Sequence, residues 1–471
     1  MKTYPKLTTK ILPPAPPLRK ALGVGVVVMG LAIGTGELIL WPHLVTKYGL
    51  HLLWMALLGI SFQYFINQEV ARHALATGEG FFLSSARVLK WTVWFWLASA
   101  ILLYIWPGWA SAIGTMLAEL FGFGGHLAWS WIALGFVLVL TFSGRAAYTM
   151  LERSLKITVP SFFILLVVIS VINLSGKDLA DGLVGLLSFG KMSSGVDTNV
   201  LLSAVVFAGA GGMLNLAVSL WYRDKQFGMA KYGGRIENPV TGKTEAVAAA
   251  GHTFAMNKTN LKRWEDWMRF VRVDQGVIFW LLGLITLFLL SLNAYVVLKP
   301  QGIIPEGLDV AIAQANIFGE KWGAFGYNLF LVMATLMLFS VMWTVIDALT
   351  RMVSTILYEN AHIGPYQQKL QWLKKVSLSK FYYTTIVLVV ISGAALLPLE
   401  QPLTLLVISA VLGGLTMAVY TPLLIYLNNA RLPKALRPSW PTNVVMVGIS
   451  AFFIYFAIRV IIEQFHVLTG L

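Results

Sequence analysis

Long apolar runs alternate with short polar segments along the whole chain. Runs near the roughly 20 residues that cross a bilayer as a helix fall at 20–44, 50–77, 91–118, 127–145, 156–175, 199–222, 273–298, 324–357, 381–398, 402–428 and 442–465. The pattern predicts an all-α polytopic membrane protein with eleven transmembrane helices. Little chain is left for another folded domain. The predicted division is an N-terminal tail over 1–20, five spans over 21–185, five more over 199–430 with a polar loop at 223–272, and a last span over 442–465.

Composition supports this reading, because 57% of the residues are apolar and only 12% charged, against about 25% charged in an average soluble protein. The net charge of +14 raises nucleic acid as a partner until the charges are placed on the predicted topology. With the N-terminus inside, 29 of the 35 Lys and Arg fall in inner segments and five in outer ones. That bias follows the positive-inside rule and accounts for the basic balance without nucleic acid. The protein is expected in the plasma (inner) membrane, multi-pass, with the N-terminus cytoplasmic and the C-terminus outside. The apolar run after residue 20 is too long for a signal peptide. The absence of cysteine excludes disulfides and thiolate metal sites. In the 223–272 loop, Leu261, Trp264, Trp267, Met268 and Val271 recur at helical spacing. They predict an interfacial helix with its Trp residues at headgroup depth.

Two spans are interrupted. The first carries Gly34-Thr35-Gly36 at its centre with Glu37 directly after; the sixth carries Gly209-Ala210-Gly211-Gly212 followed by Met213. Aligning the two Gly-x-Gly units sets Glu37 opposite Gly212, five spans apart, as in a duplicated unit with a broken helix in each copy. A glycine inside a helix costs about 1 kcal/mol relative to alanine, and clustered glycines let the chain leave helical geometry. Unwinding at mid-membrane is tolerated only beside a polar cavity, where free backbone groups and half-helix ends bind substrate or ions. Close helix packing is the other use of such glycines. The seven histidines are scattered without ligand spacing, and no HExxH, GxSxG or phosphate-binding loop is present, so no enzyme is expected.

The run from Gly30 to Gly78, with Lys47-Tyr48-Gly49 and Leu75-Ala76-Thr77-Gly78, resembles the first two helices of the Nramp (natural-resistance-associated macrophage protein) transporters. Ala110, Ile113, Gly114 and Thr115 in the third span and Asn215-Leu216 in the sixth extend the likeness. The resemblance implies a leucine-transporter-type fold, with two inverted five-helix repeats plus one helix and with helices 1 and 6 broken. It also marks departures. Metal-transporting relatives have Asp-Pro-Gly-Asn where this chain has Gly34, Thr35, Gly36 and Glu37. Their Met-Pro-His falls on Gly212, Met213 and Leu214, and their helix 3 acids on Gly108 and Ser111. The transition-metal ligand set is therefore missing, and no residue is a firm metal ligand. Glu37 is the one that would hold a cation.

The expected function is secondary active transport by alternating access, with a small cationic or zwitterionic organic solute favoured. The alternative is a divalent cation, hydrated and magnesium- or manganese-like, held by Glu37 and backbone carbonyls; a second alternative is an ion channel. The expected substrate site comprises Gly34, Thr35, Gly36, Glu37, Gly209, Gly211, Gly212, Met213 and Asn215, with small residues leaving a cavity larger than a bare ion requires. Asp347, one turn before Arg351, is a coupling or gating candidate or a structural ion pair. Ser340 and Thr344 share a helical face on which hydroxyls can join free carbonyls to hold sodium, and His43 is a proton-relay candidate. The expected coupling ion is a proton or sodium, with no other cofactor; the expected partners are the solute or cation and the lipid bilayer.

Overall fold

The computed structural model describes residues 4–18, 24–32, 34, 36–144, 147–237, 248–302, 309–399 and 402–469. The first apolar run forms α1 (Val24–Ala32) and α2 (Trp41–Tyr48), with a π-helical turn at Gly36–Leu40 leading into α2. The second run is α3 (Leu53–Thr77), followed by a short α4 (Phe81–Val88). Pro107 divides the third into α5 (Thr92–Tyr104) and α6 (Gly108–Phe121). Next come α7 (His126–Ser143), α8 (Ala147–Asn173) and a surface helix α9 (Gly176–Leu186). Ser175 and Asp178 close a reciprocal capping box on α9, and the Ser175 hydrogen bonds hold the Asp178 carboxyl below its usual pKa.

The sixth run gives α10 (Thr198–Val206) and α11 (Leu214–Asp224), with seven non-helical residues, 207–213, between them. Then follow α12 (Lys258–Val273), a π-helical stretch at Asp274–Leu281, α13 (Leu282–Leu298), and α14 (Asp309–His362), kinked at Gly323. The chain ends in α15 (Leu378–Leu396), α16 (Pro402–Tyr426) and α17 (Trp440–Thr469).

Among the described residues, nine helices are long and apolar enough to cross a membrane. They coincide with the second to fifth and seventh to eleventh predicted runs. The first and sixth runs are missing from that set because each is cut into halves of 8 to 11 residues. Such a half spans roughly 12–17 Å at about 1.5 Å per residue, near half the depth of the hydrocarbon core. Ile157, Ile164 and Val171 on α8, and Val447, Ile454 and Ile461 on α17, form exposed apolar stripes at seven-residue intervals, as lipid-facing helices require.

The polar loop departs from expectation. α12 forms where the spacing predicts it, but Trp264 and Trp267 are buried against protein instead of facing outward. The N-terminal segment accounts for this. Strand β1 (Thr8–Lys10) pairs in parallel with β2 (His252–Phe254). The chain after β1 then crosses α12, where Arg263 donates to the Leu12 carbonyl at 2.7 Å and Trp267 Nε1 to that of Pro13 at 2.8 Å. The apolar face of the helix is thus covered by protein, and Lys262, Glu265, Asp266 and Arg269 point outward.

Candidate functional site

Glu37 is the second residue of the π-helical turn after the first break and is 1% exposed. Its Oε2 accepts the Gly34 N–H at 3.0 Å, so the carboxylate caps the interrupted backbone. Its Oε1 is buried without a hydrogen-bond partner among the described residues. Leu38 N–H donates to the Gly34 carbonyl at 2.9 Å, and Gln314 of α14 donates to the Leu38 carbonyl. Thr35 lies outside the described residues.

The sixth break is a deeper interruption. Gly211 and Gly212 have φ of 78° and 53°, left-handed conformations that a side chain would strain. The freed backbone groups are met by side chains from three other helices. Gln63 of α3 accepts the Gly211 N–H at 2.8 Å through Oε1 and donates to the Val206 carbonyl at 2.8 Å through Nε2. The Tyr104 hydroxyl of α5 accepts the Leu214 N–H at 3.1 Å and donates to the Gly211 carbonyl at 3.3 Å. The Tyr420 hydroxyl of α16 donates to the Gly212 carbonyl at 3.1 Å and accepts from Asn215 Nδ2 at 3.2 Å. Asn215 Oδ1 is buried without a partner among the described residues, and Met213 is fully buried at the start of α11.

The two breaks touch. A Cβ on Gly36 would lie 1.9 Å from the Phe207 carbonyl oxygen, so only glycine permits this approach. Beside the contact, Trp109, Phe207, Leu214, Val341 and Val345, with Gly36, Gly209 and Ala210, line a void of about 10 Å³. This is room for one water at most. Among the described residues no roomy cavity lies between the breaks in this conformation, because Gly36 and the Phe207 carbonyl bring the two backbones together. Gly212 is not part of the lining: a Cβ there would point at Gly413 Cα and the Tyr104 hydroxyl, both 2.9 Å away.

The remaining candidates are dispersed. Ser340 and Thr344 donate to the Met337 and Ser340 carbonyls of their own helix, each at 2.7 Å, and their oxygens keep acceptor lone pairs. His43 is half-buried on α2 and does not line the void. Asp347 sits in a buried network: Arg351 Nε donates to it at 2.6 Å, Trp221 Nε1 at 3.2 Å, and the Tyr382 hydroxyl also donates to it. Arg351 pairs as well with Asp224 at the end of α11. One guanidinium therefore serves two carboxylates and ties α14 to α11.

Sequence reasoning missed Gln63, Tyr104 and Tyr420, which are uncharged; their signal was a polar group within an apolar run. It also missed Asp274, at the first turn of the seventh run. Asp274 is fully buried and accepts the Gly25 N–H at the start of α1 at 2.8 Å, with Gln275 Nε2 at 3.2 Å and the Tyr222 hydroxyl at 3.4 Å. No group of three or more His, Cys, Asp or Glu is placed to hold a metal ion among the described residues.

The family model described as natural resistance-associated macrophage protein-like matches residues 25–463. No curated protein matches the chain. Among solved structures, a mutant of the Eremococcus coleocola manganese transporter is similar at a TM-score of 0.65 and 11% identity, covering 100% of this chain and 92% of that one. Mhp1, a nucleobase-cation-symport-1 family transporter with bromovinylhydantoin bound, is similar at 0.55 and 12%, covering 94% and 93%. MhsT in complex with L-phenylalanine is similar at 0.54 and 16%, covering 93% and 98%.

Proposed function

The chain belongs to the natural-resistance-associated macrophage protein-like family, and on that premise we propose that it moves a small cationic or zwitterionic organic solute by alternating access. The family and the shared fold make it a multi-pass membrane transporter with the leucine-transporter-type fold and not an enzyme. In the proposed arrangement each broken pair, α1 with α2 and α10 with α11, counts as one crossing. With the nine long helices this gives eleven, organised as two inverted five-helix repeats plus α17. The Lys and Arg bias supports a cytoplasmic N-terminus and an outer C-terminus.

The observation that carries the substrate reading is the lining between the breaks. Trp109, Phe207, Leu214, Val341 and Val345 offer apolar and aromatic surface, while hard cations need several oxygens and soft ones need sulfur or imidazole. Glu37 keeps one carboxylate oxygen for an ammonium group, and the faces of Trp109 and Phe207 suit a cation. Because the void holds one water at most, binding requires the half-helices to move apart. Gly34, Thr35, Gly36, Gly209, Gly211, Gly212, Met213 and Asn215 are proposed as the backbone and polar surround. A proton or sodium is the proposed coupling ion, with Asp347, Ser340, Thr344 and His43 as its candidate groups. The volume of the void is the observation favouring a second reading, a divalent cation on Glu37 and freed carbonyls.

Thermal shift separates the two readings, since a ligand of the folded state raises its melting temperature. Purified protein is titrated with amine and amino-acid libraries, and with magnesium and manganese chloride at constant ionic strength. Stabilisation by an organic amine that is lost in Glu37→Gln supports the proposal. Stabilisation by the metals alone overturns it in favour of the cation.

A further inference from the structure

A crevice of about 500 Å³ opens sideways between the end of α7 and the first half of α15, lined by Phe142, Lys380, Tyr383, Thr384, Val387 and Leu388. Lys380, Thr384 and Leu388 are exposed at four-residue intervals and form one face of α15. Because α15 is long and apolar enough to cross the membrane, this face meets lipid along most of its length. Tyr383 is 4% exposed and packs on Phe142 with ring centroids 4.9 Å apart, yet its hydroxyl has no hydrogen-bond partner among the described residues. That hydroxyl is sealed from solvent and lies within electrostatic reach of Arg351 and Asp347; a buried hydroxyl without a partner costs free energy, so a polar group that reached it from the crevice would be held there.

The mouth of the crevice is basic. Lys380 lies in the first turn of α15, and Lys374 and Lys375 precede it, all three exposed. Trp372, beside them, is 64% exposed, as an aromatic anchor at the headgroup level would be. The start of a helix also favours anions through its free N–H groups and dipole. We infer that this crevice binds an anionic phospholipid. The headgroup phosphate accepts from the Lys380 ammonium and the Tyr383 hydroxyl, and an acyl chain lies along Phe142, Val387 and Leu388. On the orientation proposed above, the lipid belongs to the cytoplasmic leaflet.

Native mass spectrometry tests this with the detergent-purified protein, titrated with phosphatidylglycerol and with phosphatidylcholine of the same acyl chains. One basic residue near a membrane surface contributes enough to predict at least about a five-fold preference for phosphatidylglycerol. Lys380→Glu removes that preference, Lys380→Gln weakens it, and Tyr383→Phe, which keeps the ring, weakens phosphatidylglycerol binding. Equal binding of the two lipids by the wild type, an unchanged preference in Lys380→Glu, or unchanged phosphatidylglycerol binding in Tyr383→Phe overturns the inference. Glycerol 3-phosphate, which has no acyl chains, is expected not to compete; competition at equal concentration would assign the crevice to a soluble phosphate and overturn the lipid assignment.

Discussion

Glu37 uses one carboxylate oxygen to cap the broken backbone and keeps the other buried without a partner among the described residues, which separates its structural part from its proposed functional part by atom. Gln at this position can still accept the Gly34 N–H through its amide oxygen, but it carries no charge. Glu37→Gln should therefore stay folded, with a melting temperature near that of the wild type, while uptake into liposomes is lost; unchanged uptake would remove Glu37 from the site. Tyr104 predicts the opposite pattern. Its hydroxyl meets both the Leu214 N–H and the Gly211 carbonyl, which also bond each other at 3.1 Å, so Tyr104→Phe takes one partner from each, at about 0.5–1.5 kcal/mol per hydrogen bond lost. A drop in melting temperature is expected even without substrate. The two residues differ in how far sequence reveals them. Glu37 stands out because a carboxylate inside an apolar run must have a reason to be there. Tyr104 does not, because its partners are backbone groups about 110 residues away, and backbone partners have no letter in the sequence.

The broken helices were legible as elements because clustered glycine weakens a helix wherever it falls, and both interruptions form where the glycines predict them. Their mutual contact was not legible, since the approach of Gly36 to the Phe207 carbonyl depends on how the two elements are brought together. The same limit applied to Asp347. The i,i+4 spacing to Arg351 identified the pair, but Asp224 joins from α11 and changes the charge balance. Removing the guanidinium as Arg351→Met strands two buried carboxylates, and breaking such a group costs about 3–5 kcal/mol. Asp224→Asn leaves the Arg351 and Asp347 pair whole, so it should be much milder. Melting temperatures of the two variants check the ordering; an Asp224→Asn variant as unstable as Arg351→Met would mean that Asp224 anchors α11 through something other than this charge.

Across the whole molecule, the N-terminal segment joins elements that lie far apart along the chain. The Pro5 carbonyl accepts from Arg87 at the end of α4 at 2.6 Å, and Tyr4 donates to Asn360 near the end of α14 at 2.7 Å. Tyr232 donates to the Ile11 carbonyl at 2.7 Å, and β1 pairs with β2 on the loop between α11 and α12. This strap was not legible in the sequence, because its basic, Pro-rich residues read as a cytosolic tail and most of its bonds use backbone. Each hydrogen bond contributes on the order of 1 kcal/mol, so together they are large enough to hold one side closed and small enough to be released in a cycle. Deleting residues 1–13 should shift the population toward the state open on that side. The absence of cysteine makes the measurement free of background: Ala230→Cys, at a 1% exposed site within that loop, supplies the single thiol. Maleimide labelling of that thiol should be faster in the truncated protein than in the full chain, with melting temperatures compared to separate opening from unfolding. Equal labelling rates in two folded proteins would mean that the strap packs on this face without holding it shut.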